Sequence, residues 1–188
     1  MTSVAPKSGA AGNGAATTCQ RFFGKYRGTV LNNIDPMQMG RIMASVPAVS
    51  ALLPTTWCMP CYPLAGTGSG ASFVPQIKSG VWIEFEGGDP DYPIWTGCFY
   101  GLGAERPVDA TLSNPASPSI VFSSQLMNRI VVSDLAPTPV SGGIMLKSMT
   151  GASIIVNDSG IYLDNGKGAS IWLVAKQVLI NKPALTIT

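Results

Sequence analysis

The chain has 188 residues, a formal net charge of +2 and no histidine. The missing imidazoles exclude hydrolytic triads and histidine metal sites, and so small a charge is too weak by itself for a nucleic-acid footprint. Charged residues make up only 12% and hydrophobic ones 46%, against roughly 25% charged in ordinary globular domains, which predicts that much of the surface is covered by other protein.

Residues 1–18 are rich in Gly, Ala, Ser and Thr, with Lys7 as their one charge, and read as a flexible or partner-ordered arm. Residues 19–106 hold five strand candidates. Phe23–Leu31 puts Lys25, Arg27 and Thr29 on one face and Gly24, Tyr26, Gly28 and Val30 on the other, the two-residue period of a half-buried strand. Gly40–Val46 alternates Ile42, Ala44 and Val46 with Arg41, Met43 and Ser45, and a third candidate surrounds Trp57–Tyr62. The last two lie in residues 80–101, where Val81, Ile83 and Phe85 precede a turn of Gly87, Gly88, Asp89, Pro90, Asp91 and Pro93. Beyond the turn, Ile94, Thr96, Cys98 and Tyr100 alternate with Trp95, Gly97 and Phe99. Five short strands without an amphipathic helix predict an all-β unit, a small closed or partly closed barrel comparable to the five-stranded OB-type barrel, because closure removes exposed edges. Residues 64–79 are too glycine-rich for the helix often found there and are expected to form a loop. Gly66, Gly68 and Gly70 lack the strand–loop–helix frame of a dinucleotide fingerprint.

The cysteines are Cys19, Cys58, Cys61 and Cys98. Trp57-Cys58-Met59-Pro60-Cys61 resembles the thioredoxin motif, but that chemistry needs its first cysteine at a helix N-terminus. Tyr62-Pro63 and a Gly/Ser loop follow instead, so both cysteines read as small apolar strand residues. A zinc site would need a second close pair. No catalytic, cofactor-binding or metal residue is assigned, and no cofactor is expected.

Residues 107–140 read as a Pro/Ser-rich connector with two short strands and a turn within Ile120–Val132. From 141 to 188 short apolar runs recur: Ile144/Leu146, Ile154/Val156, Ile161/Leu163, Ile171/Leu173, Val178/Ile180 and Leu185/Ile187. Each offers too few inward positions for one chain to bury a core. Stacked copies would close a β-prism with an apolar axis. No apolar run approaches the ~20 residues of a membrane span and no signal-peptide core opens the chain, so assembly in a bacterial cytoplasm with reduced thiols is expected.

Asp35-Pro36 followed by Gly40-Arg41-Ile42 resembles the D-P-x(3)-G-R-[VI] signature of phage baseplate central spike proteins. Pro75, Gly80-Val81-Trp82-Ile83-Glu84-Phe85 and Gly87-Gly88-Asp89-Pro90-Asp91 with Pro93 resemble its second half. That family comprises the baseplate assembly protein V spikes, the gene 5 spike of T-even phages and the type VI secretion spike (VgrG) proteins. The resemblance covers roughly residues 24–101, and the segment from 142 is similar to the family's intertwined triple-stranded β-helix. It implies a homotrimeric spike in the tail baseplate of a virion or injection particle, without enzymatic activity. It further implies hub and tail-tube partners and transient contact with a target membrane, while the blunt, apolar run Ala184-Leu185-Thr186-Ile187-Thr188 predicts a PAAR-like tip protein and the small net charge predicts no nucleic-acid partner. The lysozyme domain of the gene 5 relatives does not fit between barrel and needle here, and an iron apex held by a His-x-His motif is not expected. The rival reading is an OB-fold module for single-stranded nucleic acid or oligosaccharide, stacking bases or sugars on Tyr26, Trp57, Trp82, Trp95 and Phe99. Its basic surface of Lys25, Arg27 and Arg41 is sparse, and it leaves 142–188 without a purpose.

Overall fold

The computed structural model describes residues 20–135, 142–181 and 184–187, the last three of these by backbone alone. The expected arm at 1–18, Cys19 and Lys182-Pro183 lie outside the described residues. The chain divides into two compact units, Met1–Phe99 and Tyr100–Thr188.

The first unit contains β1 (Tyr26–Asn32), β2 (Met43–Ser45), β3 (Met59–Pro60), β4 (Ala65–Gly66), β5 (Ser69–Gly70), β6 (Gly80–Phe85) and β7 (Pro93–Phe99). Five of these form one sheet in the order β2-β1-β6-β7-β3, with β3 parallel to β7 and the other pairs antiparallel. A bridge between Ile42 and Cys58, with N···O distances of 3.2 and 2.7 Å, ties the β2 side back to the β3 side. That bridge curls the sheet into a five-stranded OB-type barrel. Val30, Ile42, Ala44, Val46, Cys58, Val81, Ile83, Phe85 and Trp95 fill it. Each large aliphatic or aromatic side chain among them contributes about 1.5–3 kcal/mol by leaving water. The strands were legible from their alternation, and three are shorter than their predicted spans. Residues 64–79 form no helix; the small ribbon β4–β5 sits in the expected loop.

The second unit opens with a short helix, α1 (Val108–Leu112), and continues as β8 (Ile120–Ser123), β9 (Arg129–Ser133), β10 (Gly143–Lys147), β11 (Ser153–Asn157), β12 (Gly160–Asp164), β13 (Ser170–Val174), β14 (Gln177–Ile180) and β15 (Leu185–Ile187). These eight strands form an antiparallel meander in which each pairs with the next. The six predicted apolar runs appear as β10 to β15. Two expectations change. β8 and β9 belong to this same sheet rather than to a separate connector, because Ser123 still pairs with Arg129 and only residues 124–128 make the turn, closed by Ser124–Asn128 hydrogen bonding. The stretch read as connector also contains α1, held by a 3.0 Å ion pair between Asp109 and Arg129. Short polar turns keep the strands in register: the Asn157 carboxamide oxygen accepts from the amides of Ser159 and Gly160, and that of Asn165 from Lys167 and Ala169.

Candidate functional site

The first signature segment is a corner that locks the barrel. Asp35 accepts hydrogen bonds from the backbone amides of Met37, Met39 and Arg41 at 3.0, 2.8 and 3.2 Å. The Arg41 guanidinium meets the same carboxylate through Nη2 at 2.7 Å and Nε at 3.1 Å, and lies 5.4 Å from the centre of the Trp57 ring. With both ionic groups largely shielded from water, the arginine holds the Asp35 carboxyl well below the usual carboxylate range, aided by the three amides. Gly40 has φ +78°, and the Tyr62 hydroxyl occupies the space where a Cβ would lie. Its carbonyl accepts from Trp95 Nε1 at 3.1 Å, and the Tyr62 and Trp95 rings meet edge-on at 5.6 Å. The D-P-x(3)-G-R spacing therefore lets one carboxylate cap its own turn and capture the arginine that starts the next strand.

The second signature segment is also a clasp. Its turn receives the Phe22 amide at the Gly88 carbonyl and Arg21 Nη1 at the Gly87 carbonyl, both at 2.8 Å. At Gly88, with φ +78°, an added Cβ would stand 2.9 Å from the Phe23 ring. Phe22 then packs against Phe85 and Tyr26. Sequence reasoning missed Arg21 and Phe22, which carry no periodic signal; only their position just before β1 hinted at a role.

Neither signature assembles a reaction centre. Cys58 is fully buried beside Thr55 Oγ1 at 3.2 Å, while Cys61 is exposed. Burial pushes the Cys58 thiol up to about 11, the reverse of an activated thioredoxin nucleophile. Alkylation at about pH 8 should therefore modify Cys61 in the folded protein and Cys58 only after denaturation; preferential labelling of Cys58 in the native state would restore the redox reading. Among the described residues no three His, Cys, Asp or Glu side chains gather as a metal site.

The proposed stacking aromatics separate in the structure. Trp95 is buried, Tyr26 packs against the barrel core, and Trp57 lies under Arg41. Trp82 and Phe99 do share the outer face of β6 and β7, with ring centres 4.9 Å apart, but the Arg27 guanidinium already covers both at 5.1 and 4.9 Å. Lys25 is spent on Glu84 at 2.5 Å. Little open ring surface or free charge remains there for a polyanion.

The second unit offers a different surface. Strand pairing sets Ile144 opposite Val132 and Val156, Val156 opposite Ile161, and Ile161 opposite Leu173. A second column runs Ile130, Leu146, Ile154, Leu163 and Ile171. From β10 to β13 these eight Ile, Leu and Val side chains are 36–49% exposed. The opposite face carries a single apolar column in which Val131, Met145 and Ile155 are buried with Val121 and Tyr162. Two unbroken apolar columns on one sheet face require a partner of the same character.

Two family models match the chain. Residues 26–100 match the type VI secretion system/phage-baseplate injector OB domain, and residues 119–186 match the phage baseplate V C-terminal trimerisation domain. No curated protein matched. The matched domains are structural parts of a baseplate, and the two apolar columns lie within the trimerisation domain. With its OB-type barrel, its signature corners and its trimerising sheet, the chain belongs to the baseplate spike family.

Proposed function

We propose that this protein is the central spike of a contractile-tail baseplate or related injection particle, capping the tail tube and helping to pierce the target envelope. The observation that carries this reading is the two-column apolar ladder within the matched trimerisation domain. Three copies that bring those columns to a common axis make a dry-centred shaft. Within each copy the described strands of the meander pair antiparallel with their neighbours, so backbone hydrogen bonds brace the sheet against shear while side chains join the copies. Short turns leave few hinges along such a shaft, which suits it to transmitting axial force from a contracting sheath.

The barrel, at residues 19–106 in this reading, sits at the hub and tube, and the segment from 141 points outward. A PAAR-like tip protein fits the far end, where β15 is paired to β14 on one side of the sheet. Assembly takes place in the bacterial cytoplasm, and membrane contact is brief. Gold-labelled spike imaged in assembled particles tests the placement: label at the distal end of the tube is the expected result. Label elsewhere on the particle rules the placement out. Contraction on target cells then tests puncture, with dye uptake expected from complete particles and lost when Ile171→Asp spikes are supplied; equal uptake would refute piercing by this protein.

A further inference from the structure

The barrel has two ends of opposite character. Thr29 pairs with Gly80, Gly80 with Phe99, and Asn32 with Met43, so the loops at 33–42 and 61–79 share the end at which the chain leaves the barrel after Phe99. Asn33 Nδ2 donates to the Pro75 carbonyl at 2.9 Å, and the Lys78 amide to the Val30 carbonyl at 2.9 Å, which holds the two loops side by side. Ile34, Met37, Met39, Phe73, Val74 and Ile77 are all exposed there. The charges of these loops are Asp35 and Arg41, satisfied by each other, and Lys78. At the other end Glu86, Asp89 and Asp91 crowd one turn.

We propose that the barrel carries its own self-association surface at the chain-exit end, where the loops at 33–42 and 73–79 of one copy pack against the same loops of its neighbours. This rests on the trimer reading. The trimerisation match resumes at residue 119, and short tethers of this kind hold linked modules at an effective concentration on the order of mM. Under those conditions a weak apolar patch suffices to associate. Identical surfaces meeting around a threefold axis bring like charges together, and at the exit end Lys78 is the one charge of these loops not matched within its own copy, held on a long side chain that can turn outward. The opposite end would gather nine carboxylates from Glu86, Asp89 and Asp91 of three copies, so it suits a dissimilar partner instead. Met37 and Met39 add side chains that adapt to an irregular neighbour.

The experiment installs photoreactive p-benzoylphenylalanine at Phe73 in the full chain, with the same group at Leu52, on the opposite end, as control. Native mass is measured first. Irradiation at Phe73 should yield products between copies, mapped to 33–42 or 73–79 of another copy, and irradiation at Leu52 should yield none. In an Ile34→Glu/Ile77→Glu background the trimer mass should persist while the Phe73 product is lost. A trimer that gives only intrachain products from Phe73, or retains them between copies in the double variant, overturns the proposal while leaving the trimer intact. A monomeric mass overturns the trimer reading and this surface with it.

Discussion

Ile171→Asp is expected to break the trimer into single chains. In the single chain Ile171 is exposed on the two-column face, opposite Leu163 and Ile180, so a lone copy tolerates a charge there. Around a threefold axis the same substitution places three carboxylates in a dry environment without counter-charge. Leaving a buried charge unpaired costs about 3–5 kcal/mol each, and three of them outweigh what the remaining apolar contacts of one layer supply. Ile154→Asp should act alike. Ile155→Asp separates assembly from folding: that residue is buried on the other face beside Met145 and Tyr162, and its charge should unfold the sheet even in a monomer. Lys176→Asp, in the turn between β13 and β14, is the surface control. Native mass and circular dichroism read the outcomes. A trimer that survives both Ile154→Asp and Ile171→Asp would mean that this face is not the one copies share.

The parts of the fold that were legible in the sequence are those with a strict two-residue period. Val81, Ile83 and Phe85 announce an inward row, and Asn157 to Gly160 announce a tight turn. β7 was only half legible. Its simple alternation fails because the pairing slips between Trp82–Gly97 and Ile83–Trp95, a bulge that puts Thr96 out of step and turns Trp95 inward. No periodicity contains that information. The helix α1 was missed because five residues have too little propensity to be seen; the Asp109–Arg129 pair that anchors it spans 20 positions of sequence. The aromatic residues were visible, but burial, not composition, decides that Trp95 and Tyr62 build the corner instead of a stacking platform. In the second unit, alternation identified which side chains share a face, whereas the antiparallel pairing of successive runs follows from their turns.

Gly40→Ala is expected to cost the barrel on the order of 3 kcal/mol, from a left-handed backbone forced on an L side chain and a methyl group driven into Tyr62. The loss spreads, because the Gly40 carbonyl is the acceptor for Trp95 Nε1 and Tyr62 packs on the same indole. Asp35→Asn attacks the corner from its other side. It leaves the Arg41 guanidinium without a carboxylate and weakens three backbone caps, so thermal stability at neutral pH should fall. The pH dependence gives this variant a second signature. In the folded barrel the Asp35 carboxyl titrates below its unfolded value of about 4, so its contribution is complete above that pH and drains away as acid protonates it. Wild-type melting temperature should therefore decline below about pH 4 more steeply than that of Asp35→Asn. Parallel acid limbs in the two proteins would show that the pair does not stabilise the barrel through its charge. Because the corner lies at the exit end, a loosened 33–42 loop should also reduce the photoproduct from Phe73 between copies without changing native mass, which couples the stability of the signature turn to the packing of neighbouring barrels.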